Sequence, residues 1–156
     1  MIPPEVARIP DTAALLEFDP GAIAEGKYDR RELTLMISPE RLFPACEFLK
    51  TKRGYRYLSD VTAVDRYPSE PRFEVVYQLY CHDRKERLRL KCLLNGERAV
   101  IASVVPIWGA ANWYEREVYD LFGVQFQGHP HLRRILMPED WEGHPLRKDY
   151  PVTGYR

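Results

Sequence analysis

Residues 55–94, YRYLSDVTAVDRYPSEPRFEVVYQLYCHDRKERLRLKCLL, decide the fold. Tyr55 to Tyr67 is rich in β-branched and aromatic residues, which suit a pleated, half-buried surface. In the next run Phe73, Val75, Tyr77 and Leu79 alternate with Glu74, Val76, Gln78 and Tyr80. In the third, Leu88, Leu90, Cys92 and Leu94 alternate with Arg87, Arg89, Lys91 and Leu93. Alternation of period two predicts strands with one face turned to a core. Pro68-Ser69-Glu70-Pro71 and His82-Asp83-Arg84-Lys85 break the chain between the runs, and Asn95-Gly96 closes the last.

Upstream, Ser38-Pro39-Glu40 reads as a helix cap followed by proline at the first helical position. Leu42, Ala45, Cys46 and Leu49 then recur at the spacing of an amphipathic helix that ends at Gly54. Pro44 predicts a kink there, or a delayed start. Residues 22–37 read as a hairpin with Lys27-Tyr28-Asp29-Arg30 near the turn, and Leu33, Leu35 and Ile37 alternate with Glu32, Thr34 and Met36. The proline-rich residues 1–10 are expected to form an extended arm. Asp11 is expected to cap a short helix, Thr12 to Phe18, with Ala14, Leu15 and Phe18 inward, stopped by Asp19-Pro20-Gly21. The order α-β-β-α-β-β-β predicts an α+β two-layer sandwich: a mixed sheet of about five strands, helices on one face, and an extended C-terminal segment. No repeat or linker divides the chain. A single domain over 1–156 is expected, with 1–111 as the α+β core and 112–156 as a helix and docking tail.

Composition narrows the function classes. Lys+Arg and Asp+Glu both number 23, so the formal net charge is zero and the basic footprint of a nucleic-acid binder is missing. Such balance leaves little repulsion to keep a chain monomeric. Cys46, Cys81 and Cys92 are widely spaced and odd in number, which argues against a disulfide framework or a cysteine-built metal site and for a reducing compartment. No run reaches the ~18 apolar residues of a membrane span, and the N-terminus lacks a signal-peptide pattern. Membrane association is therefore expected only through partners.

Residues 112–151, NWYEREVYDLFGVQFQGHPHLRRILMPEDWEGHPLRKDYP, carry the functional signal. Asn112 and Glu115 have capping-box spacing, and Gly123 stands where the helix should stop. Tyr114, Val118, Leu121 and Phe122 form its apolar stripe, with Arg116, Glu117 and Asp120 on the other side. Those charges read either as a solvated face or, for Arg116 and Asp120 at i and i+4, as a network pressed against another subunit. Beyond Gly123 the chain is punctuated by prolines yet holds Phe126, Leu132, Ile135, Leu136, Met137, Trp141, Leu146 and Tyr150, too apolar for disorder. His129-Pro130-His131 and His144-Pro145, with Glu139 or Asp140, could bind zinc; no cysteine lies near and HExxH spacing is absent, so rigid turns are the plainer reading. GxSxG, GxGxxG and GxxxxGK[ST] are all missing. Arg133-Arg134 and Arg147-Lys148, interleaved with acidic residues and with Trp141 and Tyr150, suit a specific protein interface.

These residues resemble a known family. Glu115-Arg116-Glu117-Val118-Tyr119-Asp120-Leu121-Phe122-Gly123-Val124, Phe126, His129-Pro130, Leu132, Arg134 and Ile135 are similar to the signature of the 30 kDa subunit of complex I, also called the C subunit, or the J subunit in photosynthetic versions. Trp141, Gly143 and Pro145-Leu146-Arg147-Lys148-Asp149-Tyr150-Pro151 resemble the family's tail, and Val61-Thr62-Ala63-Val64-Asp65 a weaker motif. His131 departs from the Asp or Asn common in the family. The resemblance implies a peripheral-arm subunit of a proton-pumping NADH:quinone oxidoreductase. It would hold no cofactor and no active site of its own. Iron–sulfur clusters, FMN and quinone are expected in partner subunits, especially those with the terminal cluster and the quinone site. The implied location is the cytoplasmic face of a bacterial inner membrane, or the stromal side of a thylakoid. Membrane-bound hydrogenases and ferredoxin-linked complexes have equivalent subunits. A free-standing hydrolase using His129, His131 and His144 is the rival from another class. The expected interface comprises Trp113, Glu115, Arg116, Glu117, Asp120, His129, Arg133, Arg134, Trp141, Arg147, Lys148, Asp149 and Tyr150.

Overall fold

The three strand-like runs form neighbouring strands in the computed structural model, which describes residues 1–155. β3 (Tyr57–Asp65), β4 (Phe73–Cys81) and β5 (Glu86–Leu94) pair antiparallel in sequence order. The upstream hairpin is β1 (Ile23–Asp29) and β2 (Glu32–Ile37). It joins through a parallel β2–β5 pair, giving a mixed sheet of order β1-β2-β5-β4-β3. Its turn is Arg30-Arg31, with φ of 50° and 66°. Hairpin turns of this hand favour Asn-Gly, because a side chain in left-handed backbone costs roughly 1–2 kcal/mol.

Helices cover one face. α3 (Leu42–Arg53) buries Leu42, Ala45, Cys46 and Leu49 and ends at Gly54 with φ of 75°. Pro44 delays the start: Pro39–Arg41 makes a 3-10 turn first, and the proline falls where a helix has free N–H groups. α4 (Ala111–Phe122) packs against β3. One apolar cluster links Leu35, Leu49, Tyr77, Leu90, Val118 and Phe126.

Three expectations need correction. Residues 1–10 are not simply an extended arm: Pro4–Ala7 forms a helical turn, α1, that buries Val6, and α2 (Pro10–Phe18) starts at Pro10. Proline suits a first helical turn, so these prolines open helices. Asp11 therefore lies inside α2 and caps nothing; its carboxylate is buried. Of the expected inward face Leu15 is buried, Thr12 joins it, and Phe18 is exposed and stacks on Phe48 at 4.5 Å. A second, small parallel sheet, β6 (Val100–Ala102) with β7 (Gln125–Gln127), ties the chain on both sides of α4.

Candidate functional site

Asp120, on α4, is completely buried and receives the tail. Its Oδ1 accepts from Arg134 Nη1 at 2.9 Å. Its Oδ2 accepts from the backbone N–H groups of Ile135, Leu136 and Met137 at 3.1, 2.8 and 2.9 Å. Burial alone would raise its pKa; the three amides and Arg134 outweigh that and hold it below the usual carboxylate value. Arg116, one turn earlier, donates to the carbonyls of Arg133 and Arg134 and lies 5.3 Å from the Trp113 ring. Together Arg116 and Asp120 satisfy the backbone of an irregular segment that has no ladder of its own.

The capping box does not form. Asn112 lies inside α4, whose cap is Ala110. Glu115 is fully buried and turns to the segment before the helix, accepting from Ser103 Oγ and Val104 N–H, both at 2.7 Å. Among the described residues no cation pairs with it, and burial pushes its pKa up to about 7. The solvated reading of Arg116 and Asp120 fails for the same geometric reason. The returning tail covers them, so their network is intramolecular.

A second clasp fixes the tail at the sheet. Asp65 ends β3 on the buried side and accepts from Arg72 Nε and Nη2, both at 2.9 Å, from Tyr67 N–H at 3.0 Å and from Lys148 N–H at 2.8 Å. Burial opposes ionisation, yet Arg72 and the amides hold its pKa at about 2. Arg72 also donates to Asp149 at 2.6 Å and lies over the Tyr67 and Phe73 rings. Arg147 donates to Phe122 O at 2.6 Å and Leu146 N–H to Leu121 O at 3.0 Å, closing the tail over the end of α4.

The structure thus brings Glu115, Arg116, Asp120, Arg134, Arg147 and Asp149 into intramolecular contacts. Trp113, Glu117, Arg133 and Lys148 have exposed side chains. Trp141 donates to the Tyr150 hydroxyl at 3.1 Å. His129 Nε2 bonds Asn112 O, His129 Nδ1 accepts from His131 N–H, and His144 Nδ1 bonds Asp120 O. Among the described residues no group of three or more His, Cys, Asp or Glu side chains could hold a metal ion. Asp65 and Arg72 are absent from the sequence-based interface. Val61, Ala63 and Asp65 share the inward face of an alternating strand, and a carboxylate there requires a partner.

Residues 35–156 match the family described as the respiratory-chain NADH dehydrogenase 30 Kd subunit. The chain belongs to this family. Among its relatives, the NADH-quinone oxidoreductase C subunit of Geotalea uraniireducens is 48% identical over 133 residues, covering 85% of this chain and 81% of the relative. The C subunit of Geobacter sulfurreducens is 53% identical over 126 residues, covering 80% and 78%. The mitochondrial NADH-ubiquinone oxidoreductase 30.4 kDa subunit of Neurospora crassa is 51% identical over 126 residues, covering 80% of this chain and 44% of the relative. The fold is that of the trypsin-resistant fragment of Nqo5, with a TM-score of 0.67, 30% identity and coverage of 77% of this chain and 97% of that one. A chain of the archaeal membrane-bound sulfane sulfur reductase aligns with a TM-score of 0.77 and 30% identity, over 90% of this chain and 83% of that one. For this 30 Kd family member, α4 and both tail clasps lie within the matched residues. Among the described residues no helix is long and apolar enough to cross a membrane.

Proposed function

We propose that this chain is the C-type subunit of a proton-pumping NADH:quinone oxidoreductase. It holds no cofactor and no active site; it joins peripheral-arm subunits that carry the terminal iron–sulfur cluster and the quinone site, on the cytoplasmic face. The observation that carries the reading is the clasped tail. Irregular chain is tied to α4 and β3 by two buried carboxylates, and this leaves Trp113 on α4 and Leu136 on the clasped tail at 59% and 61% exposure. Large apolar side chains held rigid in solvent suit a partner's surface, where anchors of this type carry most of the binding energy. Glu117, Arg133 and Lys148 would form the polar rim.

The test is Trp113→Ala with Leu136→Asp in the assembled complex. Both side chains are exposed, so the chain should keep its melting temperature while co-purification of the other subunits and quinone reductase activity fall together. Unchanged assembly would refute this docking surface.

A second reading, the equivalent subunit of a membrane-bound hydrogenase or ferredoxin-linked complex, is favoured by the broad likeness to the sulfane sulfur reductase chain. The proteins that co-purify separate the two, because each complex carries a different electron-input subunit.

A further inference from the structure

The end of the sheet remote from the tail holds a cleft that the docking surface does not use. Strand register separates the two ends: Asp65 pairs with Phe73 beside the tail, while Tyr57 pairs with Tyr80 at the other end. There the β1–β2 turn, the β4–β5 turn, the start of α2 and the end of α3 enclose about 630 Å³. Small-molecule sites span roughly 300–1,000 Å³. Much of the wall comes from residues before 35, outside the segment that matches the family.

The floor is apolar and organised by one buried charge. Buried Leu33 and Tyr55 and half-buried Ile9 line it. Asp11, 4% exposed, accepts from Arg53 Nε and the Tyr55 hydroxyl at 2.6 Å each and from Arg84 Nη2 at 3.0 and 3.2 Å. Arg84 is spent, since its Nε goes to Glu86 and its Nη1 to the Arg53 carbonyl, both at 2.7 Å. Arg53 commits only its Nε, so its Nη groups have no acceptor among the described residues.

Cations outnumber carboxylates around the cleft. Arg31, Lys85 and Arg87 line the cleft and have no carboxylate partner among the described residues, and Glu5 is the one unpaired acid facing them. Two of these cations sit in left-handed backbone: φ is 66° at Arg31 and 54° at Lys85. Glycine would be the more stable residue at such positions.

We infer that this cleft binds a phosphate-bearing anion. Arg31, Arg53, Lys85 and Arg87 match a multiply charged group, and the guanidinium fork binds phosphate oxygens in pairs. A single carboxylate would leave most of the rim unmatched. The apolar floor accepts the uncharged body of the ligand. A soluble phosphate compound and an anionic lipid headgroup share this chemistry.

Calorimetric titration of the full chain with sodium pyrophosphate, against sodium chloride at equal ionic strength, should give saturable binding that chloride does not reproduce. Arg31→Gly with Lys85→Gly should raise the melting temperature, because left-handed strain is relieved, and weaken pyrophosphate binding about tenfold or more. A purely structural role for these residues would not separate the two readouts. Sedimentation with phosphatidylcholine vesicles, with and without phosphatidylglycerol, identifies the source. Capture on the anionic vesicles that pyrophosphate reverses assigns a lipid headgroup, and pyrophosphate binding without capture assigns a soluble compound. Absence of saturable binding, equal displacement by chloride, unchanged affinity in the double variant, or tighter binding of polyglutamate than of pyrophosphate would each overturn the assignment.

Discussion

Two carboxylates on α4, Glu115 and Asp120, are both fully buried yet titrate in opposite directions. Desolvation acts on each. Asp120 receives a guanidinium and three backbone amides, whereas Glu115 receives one hydroxyl and one amide. The ordinary value of 4.5 applies to Glu115 in the unfolded chain, and about 7 in the folded one. Below 4.5 both states hold the proton; between 4.5 and 7 only the folded state does, so stability falls as pH rises through that window. Above it the penalty is constant at roughly 3 kcal/mol. Glu115→Gln keeps an acceptor for Val104 and removes the charge. We expect a gain of about 1–2 kcal/mol near pH ~8 and no decline across the window, read by urea denaturation at a series of pH values. A slope equal to that of the parent protein would count against this account.

At the scale of elements, α4 is legible in the sequence and its surroundings are not. The apolar stripe and the stop at Gly123 follow from local spacing. A helical wheel separates polar from apolar positions, but it cannot tell a solvated charge from one that distant chain will cover. Hence Arg116 and Asp120 read either as a solvated face or as a network against another subunit, and Glu115 as a cap. β6 and β7 leave no signal in the sequence because three residues are too few for a period to register. Gly123 links the two layers of information. Its φ is 78°, and an added Cβ would lie 2.5 Å from Arg147 Nη2 and 2.7 Å from His144 Cδ2. Gly123→Ala is therefore expected to cost about 1–3 kcal/mol, through backbone strain and displacement of both side chains. The Leu146 amide, bonded to Leu121 O, should exchange faster with deuterium; unchanged protection there would show that the tail does not depend on this contact.

In the whole molecule, the clasps tie a tail to a sheet whose strands precede it by many residues. Asp65 contributes stability fully above its ordinary value of 3.8 and loses it as pH falls through about 2. Asp120 adds in the same direction, and Glu115 acts oppositely at higher pH. Stability should therefore climb from acid toward pH 3.8 and decline again from 4.5 to 7. Arg72→Ala leaves Asp65 buried without its cation, at a cost of about 3–5 kcal/mol, and should shift the acid limb upward in pH. Denaturation profiles of the two proteins would reveal an unmoved acid limb if Arg72 were incidental.

Period-two alternation placed β2, β4 and β5, composition and a hairpin reading placed β3 and β1, helical spacing placed α3 and α4 with their glycine stops, and the residue strings of the tail were enough to suggest the family. These are local patterns, and local patterns survive in a linear reading. Strand order, the parallel β2–β5 pair and the roles of the charged residues required the folded chain. Asp65 meets Lys148, Asp120 meets Met137 and Asp11 meets Arg84 only because distant segments pack together. Whether a carboxylate is solvated, clasped or left without a cation depends on what surrounds it, and spacing along the chain does not encode those surroundings.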